Sequence, residues 1–157
     1  MKFPEPLFAV INPTMIFLLR SPLHGLWSDS LMLITFKGRK SGKNFTTPVR
    51  YIQTDGTVRC FTGSENQWWR NLRGGANVVL RIRGKDRPYK AVAIDTNPEE
   101  VKKWLAYYLE LFPQDAAYHD IKLNKDKAPL EGDLERASHE AIAVVADLPG
   151  GSHGDDD

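Results

Sequence analysis

Two β-type runs flank a hexapeptide of turn residues, and this arrangement restricts the chain more than any other feature. Leu31–Phe36 lies on one side and Phe45-Thr46-Thr47-Pro48-Val49-Arg50-Tyr51-Ile52 on the other, with Gly38-Arg39-Lys40-Ser41-Gly42-Lys43 between them. Two glycines let the backbone turn tightly and come close to a ligand. Three cations and a hydroxyl gather positive charge and donors on that turn. Exposed backbone N–H groups in such turns form anion-binding concavities, for which phosphate is the obvious guest. The plain alternative is a solvated basic hairpin. The segment is not a P-loop: Lys37 stands where the first glycine of G-x-x-x-x-G-K-[ST] belongs, and Asn44 follows Lys43.

Further short strands follow with turn signals between them: Phe45–Gln53, Val58–Thr62, Val78–Arg83 and Tyr89–Ile94. Such a succession predicts a barrel or sandwich rather than a βαβ fold. Thr54-Asp55-Gly56-Thr57 reads as a hairpin turn and Gly84-Lys85-Asp86 as a second. Pro48 has no N–H to give a ladder, so its strand belongs at a sheet edge or carries a bulge there. Gln67 to Leu72 reads as a short helix stopped by Gly74-Gly75. Asn97-Pro98-Glu99-Glu100 opens the clearest helix, with an N-cap residue, a proline at the first helical position and acid in the first turn. Val101, Trp104, Leu105, Tyr108, Leu109 and Phe112 repeat at helical spacing until Pro113, and read as core rather than as a cofactor box. Leu130 to His139 is expected to form another helix and Ala141 to Ala146 a last strand.

At 157 residues the chain fits one domain with a proper core. The expected division is a helical segment over 1–30 packing on a domain over 31–147, then an acidic, Gly-rich tail over 148–157 that is disordered. A net charge of +1 supplies no global field toward nucleic acid or anionic membrane. Arg70, Arg73, Arg81, Arg83, Lys85 and Arg87, with nearby aromatics, would suit a single strand. Arg81 and Arg83 alternate on one strand face, however, as on any water-facing barrel strand, so no nucleic-acid partner is expected. Cys60 is the only cysteine, which rules out an internal disulfide framework and suits a reducing cytoplasm. It lies in an apolar run and reads as a buried, inert thiol. Leu7 to Leu19 is apolar but broken at Asn12-Pro13 and too short for a membrane span. Two readings of it stand: a helix packed on the domain, or an amphipathic segment lying at a membrane surface with Arg20 and His24 at its polar end.

Intrinsic chemistry is scarce. His24, His119, His139 and His153 lack metal-ligand spacing, and Ala143 occupies the place of the second histidine after His139-Glu140. No metal is therefore expected. Gly63-Ser64-Glu65 makes no nucleophile elbow. A chain without its own reactive group either does no catalysis or uses a cofactor that brings the chemistry. Thr62-Gly63-Ser64 offers room and donors at a strand end, and Trp68-Trp69 offers broad apolar surface with N–H handles. With the basic turn and Pro48 these describe a slot for a phosphorylated planar cofactor; alternatively the tryptophans simply plug the barrel.

Gly38-Arg39-Lys40-Ser41-Gly42, Thr46-Thr47-Pro48-Val49, Trp68-Trp69-Arg70-Asn71-Leu72 and Val78 to Gly84, in that order, resemble the deazaflavin-dependent nitroreductase family of split β-barrel flavin/deazaflavin oxidoreductases. Asn12-Pro13 and Leu18 to His24 are similar to one of its subgroups, so the resemblance covers roughly residues 12–123. It implies a mainly β (α+β), FMN-binding-like split β-barrel with flanking helices, which binds coenzyme F420 or, alternatively, FMN. On this resemblance Arg39, Lys40, Ser41, Gly42 and Lys43 hold the phosphate. Thr46, Thr47, Pro48 and Val49 line the cofactor; Thr62, Gly63 and Ser64 face its ring; Trp68, Trp69 and Asn71 close the pocket. Glu65-Asn66 is shorter and more acidic than the matching loop of many relatives. Tyr118 is the nearest match to a C-terminal aromatic beside the substrate, and it is the one candidate catalytic side chain. The activity implied is hydride transfer from reduced deazaflavin or flavin to a quinone, nitro compound or activated alkene, in the cytoplasm, as monomer or homodimer. The rival is a non-catalytic binder of a flavin, tetrapyrrole or fatty acid in the same slot.

Overall fold

A computed structural model of the protein describes residues 31–149; the readings made for 1–30 and for 150–157 lie outside the described residues. Seven strands are β1 (Leu31–Lys37), β2 (Asn44–Arg50), β3 (Ile52–Thr54), β4 (Thr57–Gly63), β5 (Ala76–Ile82), β6 (Lys85–Ile94) and β7 (Ala141–Asp147). The helices are α1 (Pro98–Leu111) and α2 (Glu131–Glu140), with 3-10 segments at Trp68–Leu72 and Pro113–His119.

All strand pairs are antiparallel, in the order β2-β1-β5-β6-β7-β4-β3. The two outermost strands, β2 and β3, are consecutive in the chain, with only Tyr51 between them. One residue spans at most about 3.6 Å, so the sheet must curl until its edges come together. The result is a split barrel. Pro48 sits in β2 at the sheet edge, where its missing N–H costs no ladder bond. The run expected over Phe45–Gln53 is accordingly divided at Tyr51, because the chain changes from one sheet edge to the other there.

Side-chain alternation sorts the apolar residues into two cores. Met32, Ile34 and Phe36 of β1, Val58 and Cys60 of β4, Val78 and Leu80 of β5 and Ile142 and Val144 of β7 fill the barrel. Phe61, Ala141 and Ala143 face outward and meet Val101, Leu105, Tyr108 and Leu109 of α1 and Leu134 and Ala137 of α2. The α1 cap is the expected one, with Asn97 accepting from the Glu100 N–H at 3.2 Å. The helix closes at Leu111, and Pro113 opens the next 3-10 segment rather than ending α1 itself. Outward arginines pin α1 to the sheet. Arg59 stacks on Trp104 at 3.7 Å, while Arg50 lies 5.2 Å from the Phe112 ring and pairs with Asp115 at 2.9 Å. The Tyr108 hydroxyl donates to the same Asp115 carboxylate at 2.5 Å. Burial, and then the neighbouring Asp115 charge, push this phenol's pKa well up.

The registers place the loops at two ends of the barrel. The 38–43 turn, the end of β4 at Gly63 and the start of β7 at Ala141 share one end. Two hairpin turns mark the other. Asp55-Gly56, with φ 53° and 85°, joins Thr54 to Thr57 as expected. The second turn is Arg83-Gly84, with φ 52° and 81°, not Gly84-Lys85-Asp86; Lys85 already pairs with Ile82 as the first residue of β6. Both have the paired positive φ values of type I′ hairpins, whose twist matches that of the flanking strands.

Candidate functional site

The basic turn is braced from within. The Gly38 N–H donates to the Lys43 carbonyl at 2.7 Å, the Gly42 N–H to the Gly38 carbonyl at 2.8 Å, and the Lys43 N–H to Ser41 Oγ at 3.2 Å. Gly42 holds φ 72°, a conformation that suits glycine. A clamp comes from across the site: Asn71 Oδ1 accepts from the Arg39 N–H at 2.9 Å, and Asn71 Nδ2 donates to the Trp68 carbonyl at 2.9 Å. Thus Asn71 ties the turn to the tryptophan segment with both ends of its amide, rather than offering itself to a ligand. These bonds occupy four amides of the turn, so among the described residues only those of Lys40 and Ser41 stay without a partner. An anion placed here would therefore meet the exposed side chains of Arg39, Lys40 and Lys43 more than a backbone nest. None of these three cations forms an ion pair among the described residues.

Below the turn, Phe36 stands between Phe45 and Trp68, with ring centroids 6.0 and 5.8 Å away. Both tryptophans belong to the barrel core, so the plug and the pocket wall are the same residues. The 3-10 segment that carries them starts at Trp68, one residue later than expected. Trp69 Nε1 donates to the Ser64 carbonyl at 3.3 Å. Trp68, 9% exposed, leaves its Nε1–H without a partner among the described residues. A buried indole donor left open costs on the order of 1–3 kcal/mol, and a ligand acceptor would recover it.

Alternation divides the Thr46–Val49 stretch. Val49 packs against the barrel core and Thr47 shares its face, whereas Thr46 and Pro48 point to the other side. Thr46 Oγ1 lies 2.9 Å from Thr35 Oγ1 there. At the end of β4, Thr62 is buried and its hydroxyl accepts from Asn66 Nδ2 at 2.7 Å. The same Asn66 nitrogen donates to the Tyr118 hydroxyl oxygen at 2.9 Å. Asn66, 1% exposed, thereby fixes Tyr118 beside the strand end expected to face a ring. Sequence reasoning passed over Asn66 because a polar residue after a strand usually faces water; only its burial shows its role. Gly63 is hemmed in by Glu65, whose carboxylate oxygens stand 2.5 Å from where a Cβ would be. A ring reaching the Gly63 backbone must first move that side chain. The Cys60 thiol lies deep in the barrel and is pushed up by burial to about 12, so it offers no thiolate. His139 is engaged only with Glu135, at 3.1 Å, on the surface of α2.

A family model for F420H(2)-dependent quinone reductase matches residues 22–127. The chain belongs to this family. A Mycobacterium tuberculosis protein, Rv3178, named as a candidate F420H(2)-dependent quinone reductase, is 33% identical over 78 residues, 46% of this chain and 65% of that protein. The chain thus aligns with less than two thirds of that relative's length. A solved chain described as a domain-swapped dimer matches with TM-score 0.54 at 19% identity, covering 90% of this chain and 99% of that one. An F420-H2 dependent reductase, FDR-A, matches with TM-score 0.50 at 20% identity, over 74% of this chain and 94% of its own. These structural likenesses show the split-barrel fold. The family is described by F420H(2)-dependent quinone reduction, which makes coenzyme F420, rather than FMN, the group against which the site is to be judged.

The residues fit that group. Three unpaired cations suit a phosphate, the open Trp68 Nε1–H suits an acceptor, and the Phe36–Trp68 wall suits a planar ring.

Proposed function

We propose that this chain binds reduced F420 at the braced basic turn and the edge of β2, and uses it to reduce a quinone. The observation that carries this reading is the turn itself: three cations, none ion-paired among the described residues, on a turn whose backbone Asn71 ties to a buried tryptophan with no partner there for its indole N–H. When bound, the cofactor supplies a hydride from its deazaflavin ring. Everything else falls to the protein. Arg39, Lys40 and Lys43 bind the phosphate through charge-assisted contacts, joined by the amides of Lys40 and Ser41. Thr47 and Val49 form the inward wall, and Trp68 donates through Nε1. Trp68, Trp69 and Leu72 keep water from the barrel side, all three being buried. Asn66 donates to the Tyr118 oxygen and so fixes the phenol beside the end of β4. By its position at this rim, Tyr118 is the side chain we assign to proton delivery toward the reduced acceptor.

The test is turnover of the purified full chain. With reduced F420 it should reduce menadione far faster than the free cofactor does, and Tyr118→Phe should slow turnover while leaving F420 affinity intact. Binding of F420 without any acceleration would instead establish a carrier in the same slot.

A further inference from the structure

We infer that the barrel end opposite the basic turn is a second ligand site, for a small amphipathic anion with an acidic headgroup on an apolar chain. This goes beyond the cofactor reading and does not depend on it. A cleft of about 320 Å³ opens there, floored by Leu80, Ile82 and Tyr89 and rimmed by Arg83, Lys85 and Arg87, with Gln53 of β3 facing them. That is the size of a small-molecule site, which begins at about 300 Å³.

The charges stand at the open mouth of the barrel, exposed, where the inward row of β6 runs out of the core. Tyr89, Ala91 and Ala93 of β6 point into the core, and alternation extends their row through Arg87 to Lys85 at the mouth. The register sets Arg87 against Leu80 and Lys85 against Ile82, so each of these exposed cations borders an apolar neighbour. Arg83 joins them from the hairpin turn at φ 52°, a position where arginine is strained and asparagine or glycine is usual. No acid balances the three. Asp86 points to the other face and is held by Arg81 at 3.1 Å. Arg83, Lys85 and Arg87 have no ion pair among the described residues. All three cations are exposed, so their mutual repulsion is modest in water, and an anion seated between them meets three donors at once. A carboxylate or phosphate provides the geometry that arginine binds with two parallel bonds. The apolar floor adds affinity for whatever chain follows the headgroup.

Calorimetric titration of the full chain tests this without any cofactor. Decanoate and decyl phosphate should both bind, which separates the two headgroup sources by their relative affinity. Inorganic phosphate, which lacks the chain, and decanol, which lacks the charge, should bind at least about tenfold more weakly. Lys85→Gln combined with Arg87→Gln should weaken decanoate binding by about tenfold or more, with melting temperature and F420 affinity unchanged. Decanoate should bind equally well with F420 present. The inference is overturned if no probe binds, if the double variant binds decanoate normally, if phosphate alone binds as tightly as decyl phosphate, or if F420 displaces decanoate.

Discussion

The two ends of the barrel carry similar charge and opposite architecture. At one end Arg39, Lys40 and Lys43 ride on a turn fastened by its own hydrogen bonds and by Asn71, above a tryptophan plug. At the other, Arg83, Lys85 and Arg87 surround an open cleft with an apolar floor. The first end carries its cations on a backbone fixed by hydrogen bonds; the second surrounds open space with less constraint. Charge alone therefore does not distinguish them. What does is whether the backbone beneath the charge is tied to the core.

That contrast can be broken by substitution. Trp69 is 2% exposed, and Trp69→Ala should cost about 3–5 kcal/mol, seen as a fall in melting temperature on the order of 10 °C. Lys85→Gln at the open end should move stability by no more than about 0.5 kcal/mol. Equal effects at both would erase the distinction. Asn71→Ala should lose about 1–3 kcal/mol, since it strips a partner from the Arg39 N–H and the Trp68 carbonyl, and F420 affinity should fall with it. Asn71→Asp keeps the acceptor and loses the donor, so its melting temperature should lie between those of alanine variant and parent. Arg39→Ala with Lys40→Ala should weaken F420 at least about tenfold while leaving the melting temperature in place. Loss of folding in that variant would show that the turn is scaffold and not binding site. The smallest effect belongs to Cys60, midway between the ends. Its pKa is raised from 9.0 to about 12, so the folded chain keeps the proton that an unfolded chain gives up. Its contribution to stability is complete below pH 9 and declines as pH rises toward 12. Alkaline denaturation of Cys60→Ala should therefore be less steep across that window.

Much of this molecule was legible in its sequence, for local reasons. Strands announced themselves through alternation and the turn residues between them, and α1 through its cap and spacing. The break at Tyr51 was not legible, because the residues on both sides are β-type and the break comes from the curl of the whole sheet. The second hairpin was misplaced by one residue for a related reason: sequence propensity disfavours arginine at positive φ, yet Arg83 takes it. In the candidate site, the basic turn and the tryptophans drew attention by composition. Their connection through Asn71 did not, since residues 39 and 71 are distant in sequence and meet only when β1 pairs with β5. Asn66 escaped notice because burial is a property of the fold and not of the residue.

The sheet order has a further consequence for how the chain is made. β7 lies between β6 and β4 and is synthesised after the other six described strands. Until it emerges from the ribosome, the described strands form a four-strand piece, β2-β1-β5-β6, and a two-strand piece, β4-β3, joined at Tyr51 and through residues 64–75. Neither piece can close over the apolar row of the other. The edges of β6 and β4 wait unpaired and open to any strand that comes near, and the keystone that removes this hazard is the final one laid.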